Sequence, residues 1–405
     1  MKRKSVIASV LAAAMALSLA ACGAAGSEAP AESAAESGST AATAEGAAAP
    51  IKLGGIGPTT GANALYGTAV QHGEELAVQE INEAAGYTVF ELKFEDDTSD
   101  PETALNAYNS LKDWGMQILL GTVTSDPSLT VGAEAAADNL FMLTPSASAE
   151  DVALTGDNIF QMCFTDPNQG IAAADYISAN SLGTSIGIIY DSSDPYSSGI
   201  YQAFAAHAAE LGLNIVAQPS FTADNKSDLS TQVTQCQEAG ADLVFLPIYY
   251  QEASQVLIAA DRIGYEPTFF GCDGMDGILG VDGFDTAMAN GLMMLCPFSA
   301  YGEDETTVTF VTNYKAAFND ETPNQFAADA YDCVYAIYQC VQDGTITPDM
   351  SVSDMCDALK GAFTTMTFSG TTGEGQTWDE NGMISKEPKV YIIQDGAYVL
   401  AEGEA

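Results

Sequence analysis

Phe90-Glu91-Leu92-Lys93-Phe94-Glu95-Asp96-Asp97-Thr98-Ser99-Asp100-Pro101 decides the fold. Phe90, Leu92 and Phe94 alternate with Glu91, Lys93 and Glu95, which predicts a strand with one buried face. The strand ends in acidic residues, and Ser99-Asp100-Pro101 then opens a helix. Asp is a strong N-cap, and proline at the first helical position has no amide hydrogen to leave unpaired. Strand, turn and capped helix make one βα unit. The same signature returns as Ser125-Asp126-Pro127 and Ser193-Asp194-Pro195, with Thr165-Asp166-Pro167 as a close variant. Working outward, Ile51–Gly57 predicts a strand and residues 63–84 a helix with Leu65, Ala69, Leu76, Ala77 and Ile81 on one face. Further strands are predicted at 117–120 and 141–143, with helices from Pro101 and Pro127. A second run follows: strands at 185–190, 214–217, 243–247 and 268–270, with helices at 196–211, 229–239 and 252–263. This alternation implies parallel sheets, with helix starts aimed at the carboxyl edge where open α/β folds bind ligands.

The chain also carries a leader pattern. Lys2, Arg3 and Lys4 precede an apolar run over 6–19 and then Leu19-Ala20-Ala21-Cys22. A basic segment, a short apolar segment and small residues are the marks of a secretory signal peptide over 1–21, too short for a comfortable bilayer span. The ending resembles the lipobox of bacterial lipoproteins, which implies lipidation at Cys22; an ordinary signal peptide with a chance cysteine is the alternative. From 23 to 50 no aromatic or branched apolar side chain occurs, so 22–50 is expected to be a disordered tether. An extracytoplasmic protein held to the cell membrane by lipid follows.

Charge and composition narrow the function. The formal charge of −43 becomes −46 once the three basic leader residues are lost. Nucleic acid is excluded as a partner, because phosphate binding needs clustered Lys and Arg. Apart from Arg3, the single arginine is Arg262, which disfavours multiply anionic ligands that need bidentate clamps. The seven cysteines beyond Cys22 show no CxxC, zinc or redox spacing, so no metal site is expected and at least one thiol stays free. His72 and His207 fall on helices, where packing is the ordinary role. No GxSxG, HExxH or GxxxxGK[ST] occurs, and the Gly55–Gly61 run departs from a dinucleotide loop, so neither catalysis nor a cofactor is expected. Those glycines predict a tight turn with close backbone approach.

Other stretches carry a resemblance. Ile51-Lys52-Leu53-Gly54-Gly55-Ile56-Gly57-Pro58, Tyr66-Gly67 and Gly73-Glu74-Glu75-Leu76-Ala77 resemble the opening of the Leu/Ile/Val-binding proteins of ABC importers, which are type 1 periplasmic binding proteins. Glu95-Asp96-Asp97 with Asp100-Pro101, the loops at 121–125 and 144–148, the segment 191–199, Phe368-x-Gly370-x-x-Gly373 and Trp378-Asp379-x-x-Gly382 extend the likeness over 51–400. It implies two doubly wound parallel-sheet lobes joined by a hinge of several crossing segments. The first lobe would comprise 51–167 with 298–368, and the second 168–297 with 369–405.

Carried over residue by residue, the resemblance implies that Ser125 and Ser148 hold a ligand α-carboxylate through hydroxyls, with Ser146 and Ala147 offering backbone. Asp273 would receive the α-ammonium, and Tyr66, Tyr196 and Tyr249 or Tyr250 would cover the side chain. Each has a plainer role open to it: Ser125 as a helix cap, Asp273 as a turn residue, the tyrosines as packing. Asp273 is one methylene shorter than the family's glutamate, and Ser99 and Thr124 stand where some members carry a cystine. The implied function is capture of an amino acid with a branched-chain or other apolar side chain, delivered by a monomer to an ABC permease. A sensory ectodomain partner of a membrane receptor, or a binder of amides or another small metabolite, remains the alternative.

Overall fold

The computed structural model describes residues 49–401. The leader, Cys22 and all but the end of the expected tether lie outside the described residues.

Strands β1 (Ile51–Gly57), β2 (Phe90–Asp96), β3 (Ile118–Gly121), β4 (Met142–Thr144) and β5 (Ile159–Gln161) form a parallel sheet in the order β2-β1-β3-β4-β5. Between them run α1 (Ala64–Ala85), α2 (Pro101–Trp114), α3 (Ser125–Asp138) and α4 (Glu150–Ala153). Central β1 is buried at every residue except Lys52, whereas edge strand β2 keeps a partly wet face. That difference is why β1 reads as a continuous apolar and glycine run while β2 alternates.

The chain then crosses to α5 (Asp166–Asn180), β6 (Ile186–Ile188), the short β7 (Tyr190–Asp191), α6 (Pro195–Leu211), β8 (Ile215–Ala217), the short β9 (Ser220–Phe221), α7 (Ser230–Glu238), β10 (Leu243–Leu246), α8 (Tyr250–Arg262), β11 (Thr268–Gly271) and β12 (Met293–Cys296). It returns with α9 (Glu305–Ala317), α10 (Gln325–Gln342), α11 (Val352–Phe363) and the hairpin β13 (Phe368–Gly370) and β14 (Gly373–Gln376). Finally β15 (Lys389–Gln394) and β16 (Ala397–Leu400) join the second sheet, whose order is β16-β15-β12-β11-β10-β6-β8. Strands β6, β8, β10, β11 and β12 are parallel, and the C-terminal pair adds an antiparallel edge absent from the sequence expectation.

Three crossings between the sheets, near 162–165, 297–304 and 385–388, form the multi-segment hinge. Packing displaces the boundary expected at 368/369. Phe368, Trp378 and Ile384 share one apolar cluster with Leu120, Phe141 and Phe160, and the Trp378 indole donates to the Gln161 carbonyl at 2.8 Å. Residues 369–384 therefore pack on the first sheet, and we place the final exchange near 385–388. That third crossing is pinned by a buried ion pair: Lys386 Nζ lies 2.5 Å from Asp329 Oδ1 and donates to Thr372 Oγ1 at 2.6 Å.

Close backbone approach, expected for the glycines of the Gly55–Gly61 run, is also found at Gly67. A Cβ there would sit 2.1 Å from the Pro58 carbonyl oxygen, so α1 can lie against the turn after β1 only with glycine at this position. All seven described cysteines are buried free thiols.

Candidate functional site

Both sheets change winding direction beside a central strand: between β1 and β3 in the first, and between β6 and β10 in the second. Loops at such switch points leave a crevice at the strands' carboxyl ends. The two crevices meet. Tyr66 follows β1, Thr124 and Ser125 follow β3, and Ser146 follows β4; Tyr196, Tyr249 and Asp273 come from the corresponding ends of β6, β10 and β11. These residues, with Val123, Gly274 and Phe326, line one small cavity between the lobes.

Aromatic contacts close it. Tyr196 and Tyr249 stack at 4.8 Å between ring centroids, and Tyr66 meets Phe326 at 4.4 Å and the edge of Tyr250 at 4.8 Å. The Tyr66 hydroxyl donates to the Gly274 carbonyl at 2.5 Å and accepts from Tyr250 N at 3.2 Å. The Tyr250 hydroxyl donates to the Ala62 carbonyl at 2.7 Å, so Tyr250 bridges the lobes and does not line the cavity. The room left is about 10 Å³, enough for roughly one water. An amino acid needs these rings to part.

Asp273 supplies the charge. It is 4 % exposed, its Oδ1 accepts from the Tyr196 hydroxyl at 2.7 Å, and its backbone N–H donates to Gln169 Oε1 at 3.1 Å. Burial pushes its carboxyl up to about 6, while Tyr196 and Gln169 pull the other way. A second carboxylate, Asp166, stands behind it, fully enclosed at the start of α5. Burial raises its pKa well above the usual range; the Ser148 hydroxyl opposes this, and Asp273 and Asp194 add to it. Asp166 went unrecognised because Thr165-Asp166-Pro167 reads as a cap. Thr165 is in fact the N-cap and Asp166 the first helical residue.

The first lobe offers polar groups without charge. Ser125 begins α3, and its Oγ accepts from Ala149 N at 3.2 Å. The Ser146 hydroxyl donates to the Val123 carbonyl at 2.8 Å. Ser148 and Ala147, expected in the carboxylate loop, do not line the cavity. Thr144 Oγ1 accepts from Ser146 N at 3.4 Å and Ala147 N at 3.0 Å, and this turn sends 147 and 148 into the interior. The Ala147 carbonyl is then taken by Gln161 Nε2 at 2.7 Å. Thr124 takes their place: it is the N-cap of α3, and its buried Oγ1 has no hydrogen-bond partner. Its only sequence signal was the missing cystine. Chemically the cavity therefore presents hydroxyls and a helix start on one side and a buried carboxylate on the other. Among the described residues no cluster of metal ligands occurs.

A sequence model of the family described as periplasmic binding protein matches residues 50–397. The Leu/Ile/Val-binding protein homolog 3 of Brucella melitensis is 29% identical over 301 residues, covering 74% of this chain and 75% of that protein. The branched-chain amino acid transporter substrate binding protein LivJ of Streptococcus pneumoniae, solved with isoleucine, aligns with a TM-score of 0.79 at 26% identity, covering 87% of this chain and 99% of that one. A leucine binding protein from Thermotoga maritima has the same fold, with a TM-score of 0.77 at 23% identity over 87% of this chain and 97% of that one.

Proposed function

The chain belongs to the periplasmic binding protein family, and from that premise we propose that it captures an amino acid between its lobes and delivers it to an ABC permease. One observation carries the proposal: the start of α3 and the Thr124, Ser125 and Ser146 groups face Asp273 across a single interlobe cavity. The helix start and hydroxyls suit an α-carboxylate, since a helix N-terminus favours an anion. Asp273 suits the α-ammonium, because a buried charge is tolerated only with a matched partner. Relatives whose names record Leu, Ile and Val support this class of ligand.

Closure is the output. Tyr66 on the first lobe and Gly274 and Tyr250 on the second bond only when the lobes meet, so a ligand gripped by both shifts the population toward the closed form. Delivery from outside the cytoplasmic membrane, on a tether lipidated at Cys22, completes the proposal. No bond needs to be made or broken.

Thermal unfolding with a panel of ligands tests it. An L-amino acid at 100 times its dissociation constant is expected to add about 2.7 kcal/mol and raise Tm by several degrees. The matching amine without a carboxyl, and the matching acid without an amino group, are expected to leave Tm unchanged. A shift with carboxylic acids alone, and with no amino acid, overturns the proposal.

A further inference from the structure

Beside the anchoring pocket lies a second cavity of about 210 Å³, also between the lobes, which shares Thr124 and Tyr249 with it. The charge lining it is one-sided: Asp126 contributes from the first lobe and Asp191, Asp194 and Glu252 from the second, with Lys226 the one basic residue lining it. Lys226 is already committed to Glu252 Oε1 at 2.9 Å. The other oxygen of Glu252, a residue only 5 % exposed, has no hydrogen-bond partner, and neither has Thr124 Oγ1. Two buried polar groups thus wait unsatisfied at this cavity. Asp194 is half-buried, and burial, helped by Asp191 and Asp126, holds its carboxyl up at about 7.

These features sit badly with an apolar side chain. With a leucine-like group in the anchoring pocket, the buried free oxygen of Glu252 stays unpaired, and Asp126, Asp191 and Asp194 share their cavity with no added positive charge. A zwitterion with an uncharged side chain adds no net charge, so it cannot relieve this excess. A ligand with a second cation can, and it turns interlobe repulsion into a bridge. Tyr249 is the partition between the cavities: its ring stacks on Tyr196 and its hydroxyl bonds toward Asp194. Turning that ring aside joins the anchoring pocket to the acidic cavity.

We propose that the acidic cavity receives the positively charged end of the ligand's side chain, so that the substrate class is the basic α-amino acids, with Glu252, Asp194 and Asp126 as the specificity-determining residues. This rests on the amino-acid reading of the cleft and narrows it to side chains that carry a second cation.

Isothermal titration with L-lysine, L-ornithine, L-arginine, L-leucine and L-isoleucine tests it. At least one basic amino acid is expected to bind tenfold or more tighter than either apolar one, with a preference that shrinks at high salt. Asp126→Asn, a change at an exposed position, and Glu252→Gln are each expected to narrow that ratio at least threefold. Leucine or isoleucine binding tighter than all three basic ligands overturns this inference while leaving the amino-acid reading standing. Failure of all five, where other amino acids bind, also overturns it; failure of every amino acid overturns the reading beneath it.

Discussion

Asp273→Asn is expected to weaken amino-acid binding by about two to three orders of magnitude. Removing one partner of a buried ion pair costs roughly 3–5 kcal/mol, and every 1.4 kcal/mol is tenfold in affinity. Asparagine keeps the shape and can still accept from Tyr196, so the loss reports charge and not packing. The pH dependence carries a second signature. Burial raises the Asp273 carboxyl to about 6, and an ammonium ligand binds the ionised form. Below that value a proton must leave on binding, so the dissociation constant is expected to rise about tenfold per pH unit as pH falls from 6. Above it the Asp273 contribution is flat. The asparagine variant should lose this slope. Titration calorimetry at several pH values reads both effects, and unchanged affinity in Asp273→Asn would remove the residue from the ammonium role.

Lys386→Met is expected to destabilise the fold by roughly 3–5 kcal/mol, the usual cost of orphaning a buried charge. Both side chains of the Lys386–Asp329 pair are 2 % exposed, and the pair ties the third interlobe crossing to α10. Neighbouring Asp332 is already satisfied: it accepts from Thr371 N at 2.8 Å and from Thr372 N at 2.8 Å. The damage should therefore fall on Asp329. Burial holds its carboxyl at about 7 even with the lysine pulling it down, and loss of the lysine drives it higher. A carboxyl whose folded pKa lies above its unfolded one costs stability as pH rises between the two values. Urea unfolding of Lys386→Met should accordingly show a smaller deficit at pH 5 than at pH 8. The double variant Lys386→Met with Asp329→Leu should recover most of the loss. An equal deficit at both pH values would contradict this account of the hinge.

Much of the fold was legible because the first lobe obeys simple periods. Edge strand β2 shows its alternation openly, and Asp100 and Asp194 are N-caps as read, accepting from Thr103 N at 2.8 Å and Ser197 N at 3.2 Å. The same tripeptide misleads at Asp126 and Asp166, where threonine one or two residues earlier takes the cap and the aspartate enters the helix. Backbone dihedrals decide between these outcomes, and sequence spacing does not contain them. The C-terminal third was harder. Helix α10 buries Gln325, Asp329 and Asp332 along with its apolar residues. Its polar burial makes sense only once Lys386 and the 371–372 backbone arrive from far along the chain. At the site, strand-end positions put Tyr66, Ser125, Ser146, Tyr196, Tyr249 and Asp273 around one cavity. Ser148 and Ala147 were lost to a turn set by Thr144, a hydrogen bond that residue spacing cannot foresee. The acidic cavity was invisible for a similar reason, since its carboxylates come from three separate chain segments and two lobes.

The most direct test is a crystal structure of the protein with the amino acid that most raises its Tm. The ligand's amino nitrogen should lie about 3 Å from the Asp273 carboxylate, and its carboxylate should face the start of α3 near Thr124 and Ser125. A cleft occupied by a molecule without an amino group, or by an amino acid whose nitrogen points away from Asp273, would contradict the account.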